Sequence, residues 1–249
     1  MTSSEWPGAS GVPEPSEVAA STPEGLRQHR YTAPADATTI LLVRHGESAA
    51  AVPDRPFPLR DGHGDPALHP EGREQAVALG RRLAAEHRAG DRIDAIYVTT
   101  LRRTHETAAP LARELGLEPV EVADLREVFL GEWEGGGFRR MAAEGHPAFK
   151  RMQERERWDE VPGAETREAF SARLRAGIEA IAAAHPGGRV VSVSHGGTIG
   201  EVLAMATGSR GFAFVGADNA SISEIVVHHG RWTLRRFNDT AHLAWATAF

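Results

Sequence analysis

Short apolar segments alternate with longer amphipathic segments along most of this 249-residue chain, and this alternation constrains the fold more than any other feature. The first apolar segment, Thr39–Val43, is an unbroken run typical of strands buried on both faces. Further strands are predicted at Ala95–Val98, Pro119–Val122 and Arg189–Ser194, and a hairpin at Ile222–Val227 and Trp232–Phe237. Predicted helices cover Glu71–His87, Thr104–Leu115, a stretch marked by Phe170 and Ile181, and Thr198–Thr207. The pattern implies an α/β fold, a three-layer αβα sandwich with a mostly parallel central sheet.

A tail precedes the predicted domain. Residues 1–36 mix proline with Ser, Ala, Gly and Glu and lack apolar periodicity, which is typical of flexible segments. We therefore predict a flexible N-terminal tail over residues 1–36 and one domain over residues 37–249. Within the domain, the charged segment 137–165 is predicted to be mostly helical and mobile, and it is a candidate lid. The proline- and glycine-rich loop 51–66 either covers a pocket or supports an interface.

The composition excludes several classes of protein and of chemistry. The chain has no cysteine, so disulfides, thiolate catalysis and cysteine zinc sites are ruled out. No apolar run approaches the roughly 18 residues that span a bilayer, and no signal-peptide pattern opens the sequence. A net charge of −6 argues against nucleic-acid binding, which needs a concentrated basic patch. We therefore expect a cytoplasmic protein with no membrane or nucleic-acid partner. Only Lys150 among the 28 basic residues is lysine, a bias typical of GC-rich bacterial genomes.

Two histidines, His45 and His195, directly follow predicted buried strands, and each is followed by glycine. In an open α/β sheet, ligands bind at the carboxyl ends of the strands, so both histidines can face one crevice. The glycines allow a sharp turn and leave backbone amides, such as that of Gly196, free to meet an anion near a helix start. The two histidines are therefore candidate catalytic residues.

Arginine supplies the other half of the candidate site. Arg44 precedes the first histidine, and Arg103 lies where the second strand ends and the second helix begins. Two guanidinium groups would roughly balance a phosphate dianion without a metal ion. They would also lower the pKa of His45 from its ordinary value of around 6.5, leaving a neutral, nucleophilic imidazole. Arg102 is adjacent, so a shift of one residue would exchange the two roles.

Glu127 follows the third predicted strand at the same sheet edge and is the candidate general acid for a leaving alkoxide. A bound phosphate dianion would favour the protonated form of this carboxyl group. Other carboxylates nearby in the sequence remain alternatives, namely Glu47, Glu132, Glu134 and Glu165. Ser48 either donates its hydroxyl group to phosphate or caps the turn, and Trp133 and Phe129 either line the pocket or pack beneath the lid.

Four segments, LVRHGES, TLRRTHETA, LREVFLGEWEG and VSVSHGG, resemble in this order the motifs of the histidine phosphatase superfamily, also called phosphoglycerate mutase-like. The resemblance covers roughly residues 39–237 and implies the fold of that family. It implies that His45 is the nucleophile, with Arg44 and Arg103 as phosphate ligands. It also implies that Glu127 is the proton donor and that His195 hydrogen-bonds the transferring phosphoryl group.

A fifth segment, Leu68–Ala76 (LHPEGREQA), resembles the family's L-T-x-x-G-x-x-Q-A segment, with His69 where threonine is usual. Two features favour the phosphatases of the family over its mutases. The span between Glu127 and His195 is short, and Ala49–Ala51 replaces the tryptophan and asparagine of the mutase signature. Arginines in the candidate lid either hold an acidic substrate or form a solvated helix face, the default interpretation; they are Arg139, Arg140, Arg151, Arg155 and Arg157.

The sequence thus predicts a phosphomonoester hydrolase that acts on a small phosphorylated metabolite through a phosphohistidine, with no cofactor and no metal site. Phosphoryl transfer of the phosphoglycerate mutase type is the alternative. Non-catalytic binding of a phosphorylated ligand is less favoured, because all five expected site residues are present. The histidines outside the motifs are assigned as ordinary surface or core residues. The oligomeric state is left open, and a homodimer is compatible with the sequence.

Overall fold

The computed structural model describes residues 28–243. The predicted tail therefore lies outside the described residues up to residue 27, and its described part forms no helix or strand. Within the described residues, 33–243 belong to one compact unit, which contains all of their helices and strands.

The central sheet has six strands within the described residues. The strands in residues 28–243 are β1 (Thr38–Arg44), β2 (Leu59–Arg60), β3 (His63–Gly64), β4 (Ala95–Val98), β5 (Val120–Glu121), β6 (Arg189–Ser194), β7 (Ile222–His228) and β8 (Arg231–Asp239). The sheet order is β5-β4-β6-β1-β7-β8, and β2 pairs only with β3. The first four strands of that order are parallel, whereas β7 and β8 pair antiparallel. The predicted mostly parallel sheet is confirmed.

Helices cover both faces of this sheet. They are α1 (Pro70–Arg88), α2 (Arg102–Leu115), α3 (Gly137–Ala143), α4 (Pro147–Arg155), α5 (Arg167–Ala184) and α6 (Gly196–Thr207). Successive side chains of a strand point to opposite faces, so β1 contributes to two cores. Leu41 and Val43 pack with residues of α1 and α2, while Ile40 and Leu42 pack with residues of α5 and α6. The predicted three-layer sandwich is therefore confirmed. Each predicted strand ends within two residues of the observed end, and α5 begins three residues before Phe170.

The hairpin of β2 and β3 lies inside a segment that the sequence analysis assigned to a loop. Its turn residues, Asp61 and Gly62, have φ values of 50° and 83°. Aspartate followed by glycine favours this left-handed turn, so the turn signal was present in the sequence. The two-residue strands are too short to show an alternating pattern. The candidate lid is largely helical, as predicted, and contains α3, α4 and a 3₁₀ turn at Trp158–Glu160; its mobility stays a prediction.

Candidate active site

His45 lies at the carboxyl end of β1, beside the end of the neighbouring strand β6. The two strands are in parallel register, with Arg44 opposite Ser194. The amide of His45 donates a hydrogen bond of 3.0 Å to the Ser194 carbonyl oxygen. This register places His195 directly beside His45, with 5.3 Å between the centroids of the two imidazole rings. The structure therefore brings together the two predicted histidines, which are 150 positions apart in the sequence.

The imidazole of His45 is oriented by its own backbone. Its Nδ1 lies 2.7 Å from the Gly46 carbonyl oxygen. A carbonyl oxygen only accepts hydrogen bonds, so Nδ1 carries the proton and the lone pair of the neutral ring is on Nε2. Burial, followed by the charges of Arg103 and Arg44, holds the pKa of His45 well below its ordinary value. The ring is thus neutral near pH 7, with Nε2 free to attack an electrophile.

The turn after His45 packs tightly against the start of α1. A side chain on Gly46 would overlap the Gly72 carbonyl oxygen, and one on Gly72 would overlap the backbone of Glu47. The Glu47 amide also donates to Gln75 Oε1 at 2.9 Å. These contacts give a structural role to the segment Leu68–Ala76. Gly72 leaves room for the turn after His45, and Gln75 accepts a hydrogen bond from that turn.

Arg44 and Arg103 each use one nitrogen for a backbone carbonyl and keep other donors for an anion. Nη1 of Arg44 donates to the Ala217 oxygen at 2.5 Å, and Nη1 of Arg103 donates to the Gly64 oxygen at 2.8 Å. Burial lowers the pKa of Arg103 to about 10, so its guanidinium group remains charged at neutral pH. Arg102, by contrast, is exposed and pairs with Glu106 at 2.5 Å. The arginine at the site is therefore Arg103 and not its neighbour.

Glu127 docks on the N-terminus of α6. Its Oε2 accepts a hydrogen bond from the Gly197 amide at 3.0 Å, and its Oε1 accepts one from the Thr198 amide at 3.0 Å. These two bonds fix the position of the Glu127 carboxyl group at the start of the helix. Gly196 begins the same helix, and a side chain there would lie 3.4 Å from Nε of Arg44. Glu127 and Arg44 therefore both lie beside the first turn of α6, next to the predicted anion site.

His195 is fully buried, and its two ring nitrogens have different surroundings. Its Nε2 lies 3.0 Å from Thr99 Oγ1 at the end of β4. Its Nδ1 is buried and has no hydrogen-bond partner among the described residues. Burial and the charge of Arg103 hold the pKa of His195 well below its ordinary value. Nδ1 is therefore the nitrogen left to bond an incoming group.

Ser48 has a partner that the sequence analysis did not consider. Its Oγ accepts a hydrogen bond from Arg139 Nη2 at 2.6 Å, and Arg139 also donates to the Ala49 oxygen at 2.8 Å. Arg139 and Arg140 line a cavity beside His45, and both residues are exposed to solvent. The other lid arginines form surface ion pairs: Arg151 and Arg155 with Glu160, and Arg157 with Asp159.

Two adjoining cavities open at His45, with volumes of about 860 Å³ and 350 Å³. The loop 51–66 contributes residues to the walls of both cavities. Trp133 lines the smaller cavity, and its ring also packs 6.3 Å from the Phe138 ring of the candidate lid. It therefore both lines the pocket and packs against the lid. Phe129 packs against the His63 ring at 5.4 Å.

Glu134 is the main alternative to Glu127 for the role of general acid. It lines both cavities, and burial raises its pKa. Its two oxygens accept hydrogen bonds from the amides of Gly64 at 2.6 Å and Leu130 at 2.9 Å. These bonds tie the β2–β3 hairpin to the segment before the lid. Glu165, another alternative, is paired with Arg173 at 2.8 Å.

Thr99 and Asn219 contact the two histidines but were not among the residues predicted from the sequence. The side-chain amide of Asn219 donates to the His45 carbonyl oxygen at 2.9 Å from the loop before β7. Because β7 runs antiparallel to β1, the residues before β7 necessarily lie near the end of β1. The predicted hairpin alone could not indicate this, since it does not reveal which strand β7 would pair with.

Metal-ligand atoms come together at two places within residues 28–243. The groups are Asp36 with His228 and His229, and Glu47 with His69 and Glu71. Neither group contains His45 or His195. Over the same residues, the helices are too short or too polar to cross a membrane.

Comparisons with known proteins agree with this geometry. A sequence profile described as "Histidine phosphatase superfamily (branch 1)" matches residues 40–240. A metal-independent phosphoserine phosphatase of Arabidopsis thaliana is 30% identical over 213 residues, which are 84% of each chain.

Two solved structures share the fold. A mycobacterial glucosyl-3-phosphoglycerate phosphatase is 29% identical with a TM-score of 0.65, covering 82% of this chain and 100% of that one. A phosphoglycerate mutase of Bacillus anthracis is 25% identical with a TM-score of 0.66, covering 84% and 96%. The resemblance and the fold expected from it are confirmed: the chain belongs to the histidine phosphatase superfamily, branch 1.

Proposed function

We propose that this enzyme hydrolyses a small phosphomonoester without a metal ion, through a phosphohistidine formed on Nε2 of His45. The observation that carries the proposal is the hydrogen bond from His45 Nδ1 to the Gly46 carbonyl oxygen at 2.7 Å. It leaves the Nε2 lone pair free, and the lowered pKa of His45 keeps the ring neutral. The phosphatase names of relatives from a plant and from mycobacteria support the same reaction class.

In the first step, Arg44, Arg103 and Nδ1 of His195 bind the phosphoryl oxygens. Nε2 of His45 attacks phosphorus, a P–N bond forms, and the bond from phosphorus to the ester oxygen breaks. The departing oxygen takes a proton from Glu127, so an alcohol leaves rather than an alkoxide. Positive charge around the site stabilises the charge that develops on the phosphoryl group.

In the second step, water attacks the phosphohistidine. The Glu127 carboxylate accepts a proton from this water, and the P–N bond breaks. Inorganic phosphate is released, and His45 returns to its neutral form. The amides of Gly197 and Thr198 hold the Glu127 carboxyl group in place for this transfer. The proton that Glu127 gives to the leaving group in the first step is thus returned to it by water in the second step. One carboxyl group can thus serve as acid and then as base.

Phosphoryl transfer back to a retained substrate is the second candidate, favoured by the similarity to a phosphoglycerate mutase structure. The same site residues would form the same phosphohistidine, and only the acceptor in the second step would differ. The proposal also includes the features that the sequence analysis predicted around this site. They are a cytoplasmic location, a flexible tail over residues 1–36, a lid over residues 137–165, a small-molecule partner and a homodimer as one candidate assembly.

The test is phosphate release from p-nitrophenyl phosphate and a panel of phosphomonoesters in EDTA, with His45→Ala as the comparison. Loss of activity in the variant, with a ³²P label trapped on the native enzyme in an acid-labile form, supports the mechanism. Equal release by both proteins would contradict it. Release by neither, together with interconversion of phosphoglycerates by the native enzyme, would favour the mutase.

A further inference from the structure

An aspartate and two histidines converge at the opposite end of β1 from His45. Asp36 lies just before β1, and His228 and His229 lie where β7 turns into β8. Because β7 runs antiparallel to β1, this turn comes back to the start of β1. The seven residues of β1 separate its two ends by roughly 20 Å. The cluster is therefore distinct from the site of phosphoryl transfer.

The potential ligand atoms of the three side chains are close enough to share one metal ion. Nε2 of His228 lies 3.0 Å from Oδ1 of Asp36, and Nε2 of His229 lies 3.5 Å from Oδ2. One ligand atom from each residue lies within 4.8 Å of the other two. Ligand atoms that bind a tetrahedral zinc ion at about 2.1 Å are about 3.4 Å from one another. Small movements of these side chains would therefore enclose an ion.

The hairpin turn brings two consecutive histidines to the same carboxylate. Successive side chains of a regular strand point to opposite faces. Here His229 and Gly230 form the turn with φ values of 47° and 73°, and the centroids of the His228 and His229 rings are 4.0 Å apart. Positive φ at both central positions favours Asn-Gly or Asp-Gly. The turn itself therefore does not call for an imidazole at position 229, which adds a second nitrogen ligand to the cluster.

The carboxylate of Asp36 is held in place by its backbone. The Ala37 amide donates to the Pro34 carbonyl oxygen at 3.0 Å, which closes a turn around Asp36. Gly187 packs closely on this turn, since a side chain there would lie 2.7 Å from the Ala35 oxygen. The pKa of Asp36 is lowered, first by a backbone hydrogen bond and then by the two histidines, so the carboxylate is ionised at neutral pH.

The ligand set matches a particular class of ion. Two imidazole nitrogens and one carboxylate, with water in the fourth position, form a common zinc site. Imidazole nitrogen suits zinc, copper and nickel, whereas magnesium and calcium prefer oxygen ligands. The side chains of His228, His229 and Asp36 are 32%, 76% and 59% exposed, so an ion can enter and water can complete its coordination.

A metal ion also suits the charges of the cluster better than two protons do. Two protonated rings 4.0 Å apart would repel each other, and each disfavours protonation of the other. A divalent ion binds both rings in their neutral form and is attracted by the carboxylate.

The second group of potential ligands in residues 28–243 fits such an ion less well. It contains one imidazole, that of His69, with the carboxylates of Glu47 and Glu71. Glu47 also interacts with the positive charge of Arg139. This group serves as a comparison in the test.

We propose that Asp36, His228 and His229 bind a divalent transition-metal ion of the zinc type, which fastens the segment before β1 to the β7–β8 turn. Binding stabilises the folded chain, because the unfolded chain does not bring the three ligands together. The ion takes no part in phosphoryl transfer at the other end of β1. For His228 and His229 this proposal replaces the assignment as ordinary surface residues.

The test is a calorimetric titration of the tag-free, metal-free full chain with Zn²⁺. His229→Asn removes one ligand but leaves Asn-Gly, a pair that favours this turn, so the variant should fold. His229→Asn and Asp36→Asn should each weaken zinc binding by more than about tenfold. The matched control is His105→Gln, because His105 pairs with a single carboxylate, that of Glu121 at 3.1 Å. It should bind zinc as the native chain does.

Urea unfolding gives an independent readout. Excess Zn²⁺ should raise the urea midpoint of the native chain and of His105→Gln, but not that of His229→Asn. The proposal would be overturned by a native chain that binds no zinc, or by equally tight binding in His229→Asn and Asp36→Asn that remain folded by circular dichroism. Loss of binding in His69→Gln but not in His229→Asn would also overturn it and would assign the zinc to the second group.

Discussion

Thr99 Oγ1 lies 3.0 Å from Nε2 of His195, and the Leu101 amide donates to the same hydroxyl oxygen at 3.3 Å. With that amide as donor, the Thr99 hydroxyl group can give its proton to Nε2. The proton of the neutral imidazole then resides on Nδ1, the nitrogen without a partner among the described residues. We infer that this proton goes to Nε2 and not to Thr104 Oγ1, which lies 3.2 Å away, so that Thr99 selects the form of His195 that can donate to a phosphoryl oxygen.

Thr99→Val should lower kcat by about tenfold to a hundredfold, because a buried hydrogen bond worth about 1 to 3 kcal/mol is lost. Thr99→Ser keeps the hydroxyl group and should retain most of the activity. Steady-state kinetics with p-nitrophenyl phosphate, at several pH values, measures both. Equal activity of the valine and serine variants would show that the hydroxyl group does not act on His195.

Arg103→Lys should lower kcat/KM by about a hundredfold, since a point charge replaces the planar fork that matches phosphate oxygens. The matched control is Arg102→Lys, whose side chain is exposed and pairs with Glu106. That variant should stay within about twofold of the native enzyme. A larger loss at Arg102 than at Arg103 would reverse the assignment of the phosphate ligand.

Gly72→Ala should lower both stability and activity, because its new methyl group would overlap the backbone of Glu47. The expected cost is about 1 to 3 kcal/mol of the free energy of unfolding, and the displaced turn carries His45. Gly137→Ala is the control, since a methyl group there meets only ordinary contacts at 3.5 Å and 3.6 Å. Urea unfolding and phosphatase assays compare the two; a fully stable Gly72→Ala would mean that the turn can move.

Stability should fall as pH decreases below about 6.5. His63 has its pKa lowered to about 4 in the folded protein, by burial first and then by Arg126 and Arg173. Between these values the unfolded chain binds the proton and the folded one does not, so unfolding is favoured. His63 alone contributes a slope of up to about 1.4 kcal/mol per pH unit.

His63→Gln should therefore flatten the dependence of the free energy of unfolding on pH between about 4 and 6.5. Urea titrations of the native protein and of this variant at five pH values measure the difference. His69→Gln serves as the comparison because its side chain is exposed. Identical slopes for His63→Gln and the native protein would show that folding does not lower the pKa of His63.

EDTA should leave phosphatase activity unchanged, because the guanidinium groups of Arg44 and Arg103 supply the positive charge that the mechanism requires. Dialysis against EDTA, followed by assay with and without added Mg²⁺, Mn²⁺ or Zn²⁺, checks this. Activity that returns only with an added divalent ion would contradict a metal-independent mechanism.

The strand and helix bounds could be predicted from sequence because they depend on local spacing. Ala95–Val98 and Arg189–Ser194 were predicted as observed, since a short apolar run between polar residues specifies a buried strand without reference to the rest of the chain. The β2–β3 hairpin escaped prediction because two-residue strands have no period to detect. Its position matters, since the Gly64 oxygen orients Arg103.

The sequence by itself determined which residues stand at the ends of which strands: His45 after β1, His195 after β6, and Arg103 at the start of α2. Only the tertiary structure decided what surrounds them, such as the hydroxyl group of Thr99 on His195 and the amides of α6 on Glu127. The physical reason is that strand formation follows from neighbours in the chain. Hydrogen bonds between residues 70 or 96 positions apart depend on strand order, register and packing across the whole sheet.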